Sequence, residues 1–497
     1  MHLLHHIWEH SSAFIAQMPK SKRKEYGQFF TTPTAAMFMA ELLNIPDQES
    51  INILDPGAGS GILATALIEH LQQAKQVKHI NLVCYENDRH ILELLSSNLQ
   101  WLQQNCCKEL TYRIISDNYI ISQRADYNNL LDANPLPDKF DLIIANPPYL
   151  KVAKDAPEAL AMPDVCHGSP NLYFLFASMS LFNLKQDGEM VYIIPRSWTS
   201  GAYFKKFRQK LCTHGVLEHL HLFTSRDKVF AQDSILQETM VLKVKHTTHK
   251  PKSICISTSY SSNDFTNTKT FVAPYNTVVN SKDSYIYLIT NQQDADTLST
   301  LNKLSETLPS IGLQMKTGLT VDFRHKELLR YHDEEDAIPL FCAQHLRDGK
   351  VVFPVSKCLE YLVTPQTSLC QKNTNYLFVK RFTSKEEKRR LQCSVYLASQ
   401  YPKYQHISTH NKINFICSKQ ELSAAIIYGL YVLFNSSLYD CYYRILNGST
   451  QVNATEINSM PVPSLKLIEV MGKQIMQLKD MSADTCDQIL RSFLWVK

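Results

Sequence analysis

The chain lacks the features that mark membrane proteins, secreted proteins and metalloproteins. Nowhere do about 18 apolar residues run together, and no basic segment followed by an apolar one stands at the start. The 13 cysteines form an odd set without a Cys-x-x-Cys pair, and the 18 histidines include no His-Glu-x-x-His spacing. We therefore expect a soluble cytoplasmic protein with neither a disulfide framework nor a metal site.

Disorder, repeats and a strong charge are also missing. Glycine and proline number only 14 and 21 among 497 residues, and the hydrophobic share of 44% is ample for packed cores. We find no short internal repeat, heptad pattern or low-complexity tract, and the length predicts two or three domains of about 100–200 residues each. Because the net charge is only +4, binding to a nucleic acid would need a local basic surface.

The most informative stretch that is present is Asn146-Pro147-Pro148-Tyr149. The apolar run 140–145 before it predicts a buried parallel strand, and the prolines end that strand because neither can donate to a ladder. Asn146 and Tyr149 would therefore stand at the carboxyl end of a strand, where open α/β sheets bind ligands. An amide oxygen, the carbonyl of Pro147 and an aromatic ring suit a planar amino group. Taken alone, the motif could also be an ordinary strand-ending turn.

A glycine-rich turn lies upstream, between a strand at 51–54 and a helix that starts at 62. Its sequence, Asp55-Pro56-Gly57-Ala58-Gly59-Ser60-Gly61, lets a ligand approach the backbone at a helix N-terminus. The order of the glycines matches neither the dinucleotide fingerprint nor the P-loop, so neither NAD binding nor ATP hydrolysis is favoured. Two further predicted strands end in the acids Glu86 and Asp117, and a carboxylate in such a position can hold ribose hydroxyls.

With these motifs, the chain resembles the S-adenosylmethionine-dependent N6-adenine DNA methyltransferases of restriction–modification systems. The order is that of the γ type, as in Eco57I- and TaqI-like methylases, in which the cofactor motif precedes Asn-Pro-Pro-Tyr. Residues 26–33 (Tyr-Gly-Gln-Phe-Phe-Thr-Thr-Pro) are similar to the family's N-terminal cofactor motif, and 169–174 and 188–195 to its later catalytic motifs. The resemblance implies an α/β fold: a doubly wound, Rossmann-like methyltransferase domain with a C-terminal α+β target-recognition domain.

The resemblance also implies roles for individual residues. Thr31 would contact the methionine end of the cofactor, Glu86 the ribose, and Asp117 the adenine amino group. Asn146 and Pro147 would contact N6 of the target adenine. The residues implied to bind S-adenosylmethionine are Thr31, Asp55, Pro56, Gly57, Gly59, Gly61, Glu86, Asp117 and Asn146. The implied catalytic residues are Asn146, Pro147, Pro148, Tyr149 and Phe230, with the rings of Tyr149 and Phe230 enclosing the flipped base.

The sequence departs from the family pattern in two places. Gly57-Ala58 stands where the family more often has Ala-Cys. Both pairs are small residues, which the turn needs where its backbone must come close to the ligand. Asn118 stands where an aromatic or aliphatic contact to the cofactor adenine is common. Tyr119 or Asn87 could supply that contact instead.

The pattern divides the chain into four parts. Residues 1–24 predict a helical arm with a basic end, and 25–245 the catalytic domain, closed by a strand at 240–244. The Ser-, Thr- and Asn-rich stretch 246–285 predicts a connector or a small strand region. Residues 286–497 predict the DNA target-recognition domain.

Basic clusters mark where DNA phosphates would be contacted. Lys20, Lys22, Arg23 and Lys24 form one cluster before the cofactor motif. A denser one contains Lys380, Arg381, Lys385, Lys388, Arg389 and Arg390. Glu386 and Glu387 inside it keep open the alternative of a solvated helix face. Three segments of the C-terminal part resemble the family's recognition lobe, namely 317–324, 378–386 and 447–455.

The expected reaction is direct methyl transfer from S-adenosylmethionine to N6 of a flipped adenine in double-stranded DNA. No cysteine stands at the catalytic turn, so a covalent pyrimidine adduct is not expected. We see no nuclease motif, and we expect a monomer with the cognate endonuclease on a separate chain. Size and tail resemble stand-alone type II enzymes that modify six-base palindromes such as CTGCAG. The alternatives are an RNA-base or protein-glutamine methyltransferase and, less favoured, a non-catalytic DNA-specificity subunit.

Overall fold

The computed structural model describes residues 2–17, 19, 31–130, 139–223, 239–280, 285–355, 359–384, 386–447 and 450–494. The chain forms two compact units, Met1–Thr290 and Asn291–Lys497. Among the described residues, no helix is both long enough and apolar enough to cross a membrane. Phe230, residues 26–30, the cluster at 20–24 and Lys385 lie outside the described residues, so the predictions for them stay predictions.

The first unit is built on a nine-stranded sheet in the order β3-β2-β1-β4-β5-β7-β6-β8-β9. The first five strands in this order pair in parallel, and the apolar run of β4 is buried at every position. Such a strand is covered on both faces, as in doubly wound sheets. The strands are β1 (Ser50–Asp55), β2 (His79–Tyr85), β3 (Glu109–Ile115), β4 (Phe140–Ala145), β5 (Leu184–Pro195), β6 (Val216–Phe223), β7 (Thr239–Lys245), β8 (Ser253–Ser259) and β9 (Lys269–Pro274).

The helices of this unit are α1 (His2–Gln17), α2 (Pro33–Glu41), α3 (Ile62–Leu71), α4 (Arg89–Asn105), α5 (Arg124–Tyr127), α6 (Pro157–Ala161), α7 (Leu172–Asn183), α8 (Lys205–His214) and α9 (Tyr275–Val278). Helix α2 starts at Pro33, and the hydroxyl of Thr32 accepts from the N–H of Ala35 at 3.3 Å, which caps the helix. Leu3, Leu4 and Ile7 of α1 join the main core of the unit. The doubly wound α/β fold expected from the sequence is confirmed.

The far side of the sheet differs from the expectation. Residues 240–244, predicted to close the sheet, belong to β7, which lies inside it between β5 and β6 and is antiparallel to both. Within 246–285, β8 and β9 extend the same sheet beyond β6. Apolar Ile254 and Ile256 are buried on β8, and the polar residues Ser257 and Ser259 of the same strand are buried as well.

A histidine satisfies two of those buried polar residues. His221 lies 2.7 Å from Ser257 Oγ through Nδ1 and 2.9 Å from Ser259 Oγ through Nε2. Since Ser259 Oγ donates to the carbonyl of Ser261 at 3.0 Å, Nε2 of His221 must carry the proton that it shares with Ser259. Burial lowers the pKa of His221 to about 3, so the ring is neutral. A serine-rich segment can therefore form an interior strand.

The second unit is a mixed α+β fold, as expected. Its strands are β10 (Leu313–Thr317), β11 (Leu329–Arg330), β12 (Ile338–Phe341), β13 (Leu346–Arg347), β14 (Lys350–Val351), β15 (Tyr361–Leu362), β16 (Gln371–Lys372), β17 (Tyr376–Lys380), β18 (Cys393–Tyr396), β19 (His406–Thr409) and β20 (Ile413–Ser418). Its helices are α10 (Gln292–Leu301), α11 (Ala424–Asn435), α12 (Ser437–Leu446), α13 (Ala454–Ser459), α14 (Leu465–Leu478) and α15 (Ala483–Leu494).

Two small sheets form the β part of this unit. One has the order β10-β20-β17-β18-β14-β13 and the other β11-β15-β12-β19-β16. Rings of Phe341, Phe378 and Tyr396 pack in the core that both sheets share. The short connection between β19 and β20, His410–Lys412, therefore joins one sheet to the other.

Candidate active site

A cavity of about 690 Å³ opens at the carboxyl ends of β1 to β4. It lies where parallel strands of an open α/β sheet bind ligands. Seven residues predicted to bind the cofactor line it, namely Thr31, Pro56, Gly57, Gly59, Glu86, Asp117 and Asn146. Asp55 and Gly61 do not line it. The structure thus brings most of the predicted set together at one sheet edge.

The glycine-rich turn forms the floor of this cavity. The N–H of Ala58 donates to the carbonyl of Tyr85 at 2.9 Å, and the N–H of Gly59 donates to Glu86 Oε2 at 2.9 Å. Gly59 has φ +53°, and a Cβ placed there would meet no atom within 4 Å. The turn therefore presents open backbone to the cavity at Gly59, where a ligand could approach closely.

Glu86 is held from two sides. Besides the bond from Gly59, its Oε1 accepts from the N–H of Asp88 at 2.8 Å. Burial raises the pKa of Glu86, and the bonds from the Asp88 and Gly59 amides partly offset that increase. A carboxylate fixed in this way keeps its remaining lone pairs for other donors, such as a pair of hydroxyls.

Asp55 lies beneath the turn and is fully buried. Neither of its oxygens makes a close hydrogen bond within the described part of the chain. Burial raises the pKa of Asp55 to about 7, although the N–H groups of Ala64 and Gly57 offset part of the effect. This carboxyl group therefore titrates near neutral pH.

An aromatic wall of three rings lines the cavity, and only one of them, Tyr119, was predicted from the sequence. The ring of Tyr119 lies 4.9 Å from that of Tyr85 and 5.2 Å from that of Phe176, measured between centroids, and all three residues line the cavity. Phe176 is four positions after Leu172, another lining residue, so both lie on one face of α7. That spacing, directly after the motif at 169–174, is the signal that could have indicated Phe176.

The departure at Asn118 has a structural explanation. Its Oδ1 accepts from the N–H groups of Ile120 and Ile121 at 3.0 and 3.1 Å, and its Nδ2 donates to Glu158 at 2.9 Å. The side chain is thus engaged in ordering the next turn and the cavity wall. Asn87 and Tyr119, the predicted substitutes, both line the cavity.

The catalytic turn is tied to the N-terminal motif. Asn146 Nδ2 donates to the hydroxyl of Thr31 at 3.1 Å, across 115 residues of sequence. The hydroxyl of Tyr149 lies 2.9 Å from Asn146 Oδ1 and 2.9 Å from the carbonyl of Ile193, and its single hydrogen is shared between them. Pro147 is buried, and Pro148 lines the cavity. The amide of Asn146 is therefore held by hydrogen bonds at both of its ends.

The basic cluster of the second unit does not form one face. Arg390 is 1% exposed, its N–H donates to Asp440 Oδ1 at 2.7 Å, and it belongs to the core, so its assignment to the basic surface was wrong. Arg381 donates to the carbonyl of Asn411 at 3.0 Å and to Gln451 Oε1 at 3.3 Å. Lys380, Lys388 and Arg389 line a separate groove with Arg347.

Comparison with known proteins agrees with this site. A family model described as Eco57I restriction-modification methylase matches residues 67–230. The Type II methyltransferase M.PstI of Providencia stuartii is 32% identical over 472 residues, which cover 92% of this chain and 91% of that protein. The chain belongs to the Type II methyltransferases of restriction–modification systems. M.BsuBI of Bacillus subtilis is also 32% identical, over 465 residues, with 92% and 91% covered.

One solved structure is similar to this Type II methyltransferase over nearly its whole length. The Type IIL restriction-modification enzyme MmeI, determined in complex with DNA, superposes with a TM-score of 0.58 at 12% identity. The match covers 99% of this chain and 74% of that one. At this identity the likeness supports the fold alone. The resemblance noted from the motifs is confirmed at the level of the family, and the protein is a DNA methyltransferase of a restriction–modification system.

Proposed function

We propose that this methyltransferase transfers a methyl group from S-adenosylmethionine to N6 of an adenine that is flipped out of double-stranded DNA. The modification would protect host DNA from a cognate endonuclease carried on a separate chain, with the methyltransferase acting as a monomer. The observation that carries the proposal is the fixed amide of Asn146 at the edge of the cavity. The coarser statement, DNA methylation, follows from the family.

The cavity suits S-adenosylmethionine in size and charge. Its volume of about 690 Å³ lies inside the range of about 300–1,000 Å³ that small-molecule sites occupy. Four carboxylates, Glu86, Asp88, Asp117 and Glu158, line it together with one arginine, Arg89. This excess of negative charge would complement a cofactor that carries positive sulfonium and ammonium groups. A wall of this sign is unfavourable for the phosphates of NAD or ATP. When bound, S-adenosylmethionine supplies an electrophilic methyl group.

Individual residues have distinct tasks toward the cofactor under this proposal. Glu86 would accept hydrogen bonds from the ribose hydroxyls, and Asp117 from the adenine amino group. Thr31 and the backbone at Gly59 would lie against the methionine part. Asp55, Pro56, Gly57 and Gly61 would shape the turn beneath it. Rings of Tyr85, Tyr119 and Phe176 would enclose the adenine.

The chemistry at the target requires a better nucleophile than free adenine. The lone pair of N6 is delocalised into the ring, so the nitrogen is planar and weakly nucleophilic. Asn146 Oδ1 and the carbonyl of Pro147 would accept the two N6 hydrogens and favour a pyramidal nitrogen, whose lone pair points at the methyl group. Positioning of this kind can lower a barrier by about 7–11 kcal/mol. The bond from Asn146 to Thr31 keeps the amide from turning.

A base inside a duplex cannot reach this turn, so flipping is part of the proposal, at a cost of a few kcal/mol. The ring of Tyr149 would stack on the extruded base, and Phe230 would supply a second ring. Tyr149 is half-buried, and its hydroxyl bonds hold the ring beside Asn146. For the second unit we propose phosphate contacts by Lys380, Arg381, Lys385, Lys388 and Arg389.

Transfer of a tritiated methyl group tests the proposal. The protein is incubated with labelled S-adenosylmethionine and, in parallel, with DNA, tRNA and protein substrates, and labelled nucleosides are separated after digestion. Label in N6-methyldeoxyadenosine alone would support the proposal. Label in tRNA or in glutamine side chains would favour the alternative substrates, and label in cytosine would contradict the role of Asn146.

A further inference from the structure

Three segments that lie far apart in the sequence meet at the connection His410–Lys412 in the second unit. The carbonyl of Thr320 accepts from the N–H of Asn411 at 2.8 Å. The N–H of Arg381 donates to the carbonyl of Lys412 at 2.9 Å, and its own carbonyl accepts from the N–H of Val452 at 2.7 Å. Backbone hydrogen bonds therefore assemble residues 317–324, 378–384 and 450–452 into one surface.

At Gly318 the segment 317–324 lies so close to the His410–Lys412 connection that no side chain fits between them. A Cβ placed on Gly318 would lie 2.1 Å from the carbonyl oxygen of His410, and the Gly318 N–H donates to Ile413 at 2.9 Å. A glycine is required there for the segments to touch. Arg381 adds side-chain bonds to Asn411 and Gln451. The surface is thus a built feature of the unit.

Two phenylalanine rings project from this surface into solvent. Phe323 is 76% exposed and Phe382 is 48% exposed. Each ring has an arginine beside it, with the guanidinium carbon of Arg324 5.5 Å from the Phe323 centroid and that of Arg381 5.5 Å from the Phe382 centroid. A phenylalanine left in water forfeits the free energy that its burial normally provides. Exposed aromatic rings beside cations are typical of a binding surface.

The charge around the rings identifies the partner. Arg324, Lys326 and Lys412 are exposed basic residues, and Glu327 is an exposed acid beside them. The neighbouring carboxylate of Asp322 is paired, at 3.4 Å from Lys412 Nζ and 3.3 Å from His410 Nε2. Duplex DNA complements this arrangement, because its phosphates can meet the cations and the base edges in its grooves can meet the rings.

We propose that Phe323 and Phe382 make apolar contacts to base edges of the target DNA while Arg324 and Lys326 contact the flanking phosphates. The two rings are then determinants of sequence specificity, because apolar side chains can distinguish base pairs through groups such as the thymine methyl. The backbone hydrogen bonds of Arg381 to Lys412 and Val452 hold Phe382 beside the His410–Lys412 connection. This inference rests on the proposed DNA-methylating function and names the surface that selects the sequence.

Binding to matched duplexes tests the inference. The variants are Phe323→Ala and Phe382→Ala, with Leu478→Ala as the control because Leu478 is also exposed, at 55%, on α14 of the same unit. One duplex contains the sequence that the wild-type protein methylates and the other a scrambled sequence of equal composition. Each phenylalanine variant should lose about tenfold in affinity for the first duplex, with binding to the scrambled duplex and to S-adenosylmethionine unchanged.

Substitution of a charged residue should change DNA binding in a different way. Lys326→Ala should weaken binding to both duplexes alike, and the slope of the logarithm of affinity against the logarithm of salt concentration should fall by about one. If both phenylalanine variants bind the duplex that contains the target sequence with the same affinity as Leu478→Ala, the inference is wrong. It is also wrong if they instead alter self-association in sedimentation, which would make the surface a protein interface. Wild-type protein that methylates no DNA would overturn the proposed function itself, before any variant is compared.

Discussion

The side-chain nitrogen of Asn146 donates to the hydroxyl of Thr31 at 3.1 Å. This bond fixes which end of the amide is the acceptor, because Oδ1 then faces the hydroxyl of Tyr149 at 2.9 Å. An acceptor oriented before the substrate arrives needs no reorganisation during the reaction. The N-terminal motif therefore has a second task besides cofactor binding, which is to hold the catalytic amide.

Asn146→Ala should nearly abolish methyl transfer while cofactor binding survives. The variant loses the acceptor for an N6 hydrogen, and loss of one group that acts on the transition state typically costs about 10²–10³ in rate. Tritium transfer measures the rate, and calorimetric titration measures binding of S-adenosylmethionine. Near-normal turnover by the alanine variant would refute the assignment.

Two substitutions at Tyr149 separate its ring from its hydroxyl. Tyr149→Phe removes the bonds to Asn146 and Ile193 but keeps the ring, so the rate should fall by only about 2–10-fold, for a bond of about 0.5–1.5 kcal/mol. Tyr149→Ala also removes a stacking contact of about 1–3 kcal/mol. With 2-aminopurine at the target position, the alanine variant should show reduced fluorescence and the phenylalanine variant should not. Unchanged fluorescence in the alanine variant would count against stacking.

Gly59 and Gly57 form a matched pair within the cofactor turn. Gly59 has φ +53° and open space around its Cβ position, so Gly59→Ala should destabilise the protein through backbone strain of about 1–2 kcal/mol. It should also raise KM for S-adenosylmethionine. A Cβ on Gly57 would lie 3.7 Å from Phe176, an ordinary contact, and Gly57→Ala should change stability by less than about 0.5 kcal/mol. Urea unfolding compares them, and equal losses would contradict this account of the turn.

Asp55 makes the stability depend on pH. The folded protein holds the proton of Asp55 up to a pKa of about 7, whereas the ordinary value is 3.8, so stability falls as pH rises between these values. The difference corresponds to about 4 kcal/mol in total. Asp55→Asn removes the titration, and its gain over wild type should be about 2–3 kcal/mol larger at pH 8 than at pH 5. Unfolding at both pH values checks this, and a gain independent of pH would contradict it.

Much of the catalytic half could be predicted because its signals are local. Asn146 and the acids Glu86 and Asp117 each follow an apolar strand, and parallel strands bring their carboxyl ends to one edge. The hydrogen bond between Thr31 and Asn146 could not be predicted from spacing, because the two residues are 115 positions apart and only the folded chain brings them together. The family resemblance, not the periodicity, brought both residues into one site.

The sequence left burial undetermined where partners distant in the chain decide it. The stretch at 246–285 reads as polar, yet Ser257 and Ser259 are interior because His221 satisfies both hydroxyls. Arg390 reads as part of a basic surface, yet Asp440, 50 residues away, takes its backbone N–H and the ring of Tyr443 lies near its guanidinium group. Composition alone cannot indicate such partners.

Sequencing of modified bases in DNA from cells that express the wild-type protein or Asn146→Ala tests the central claim most directly. The account predicts N6-methyladenine at one adenine of a single short sequence, for example a six-base palindrome, in the wild-type sample and none in the variant. Modified cytosine, modification without a common sequence, or equal modification by Asn146→Ala would contradict it.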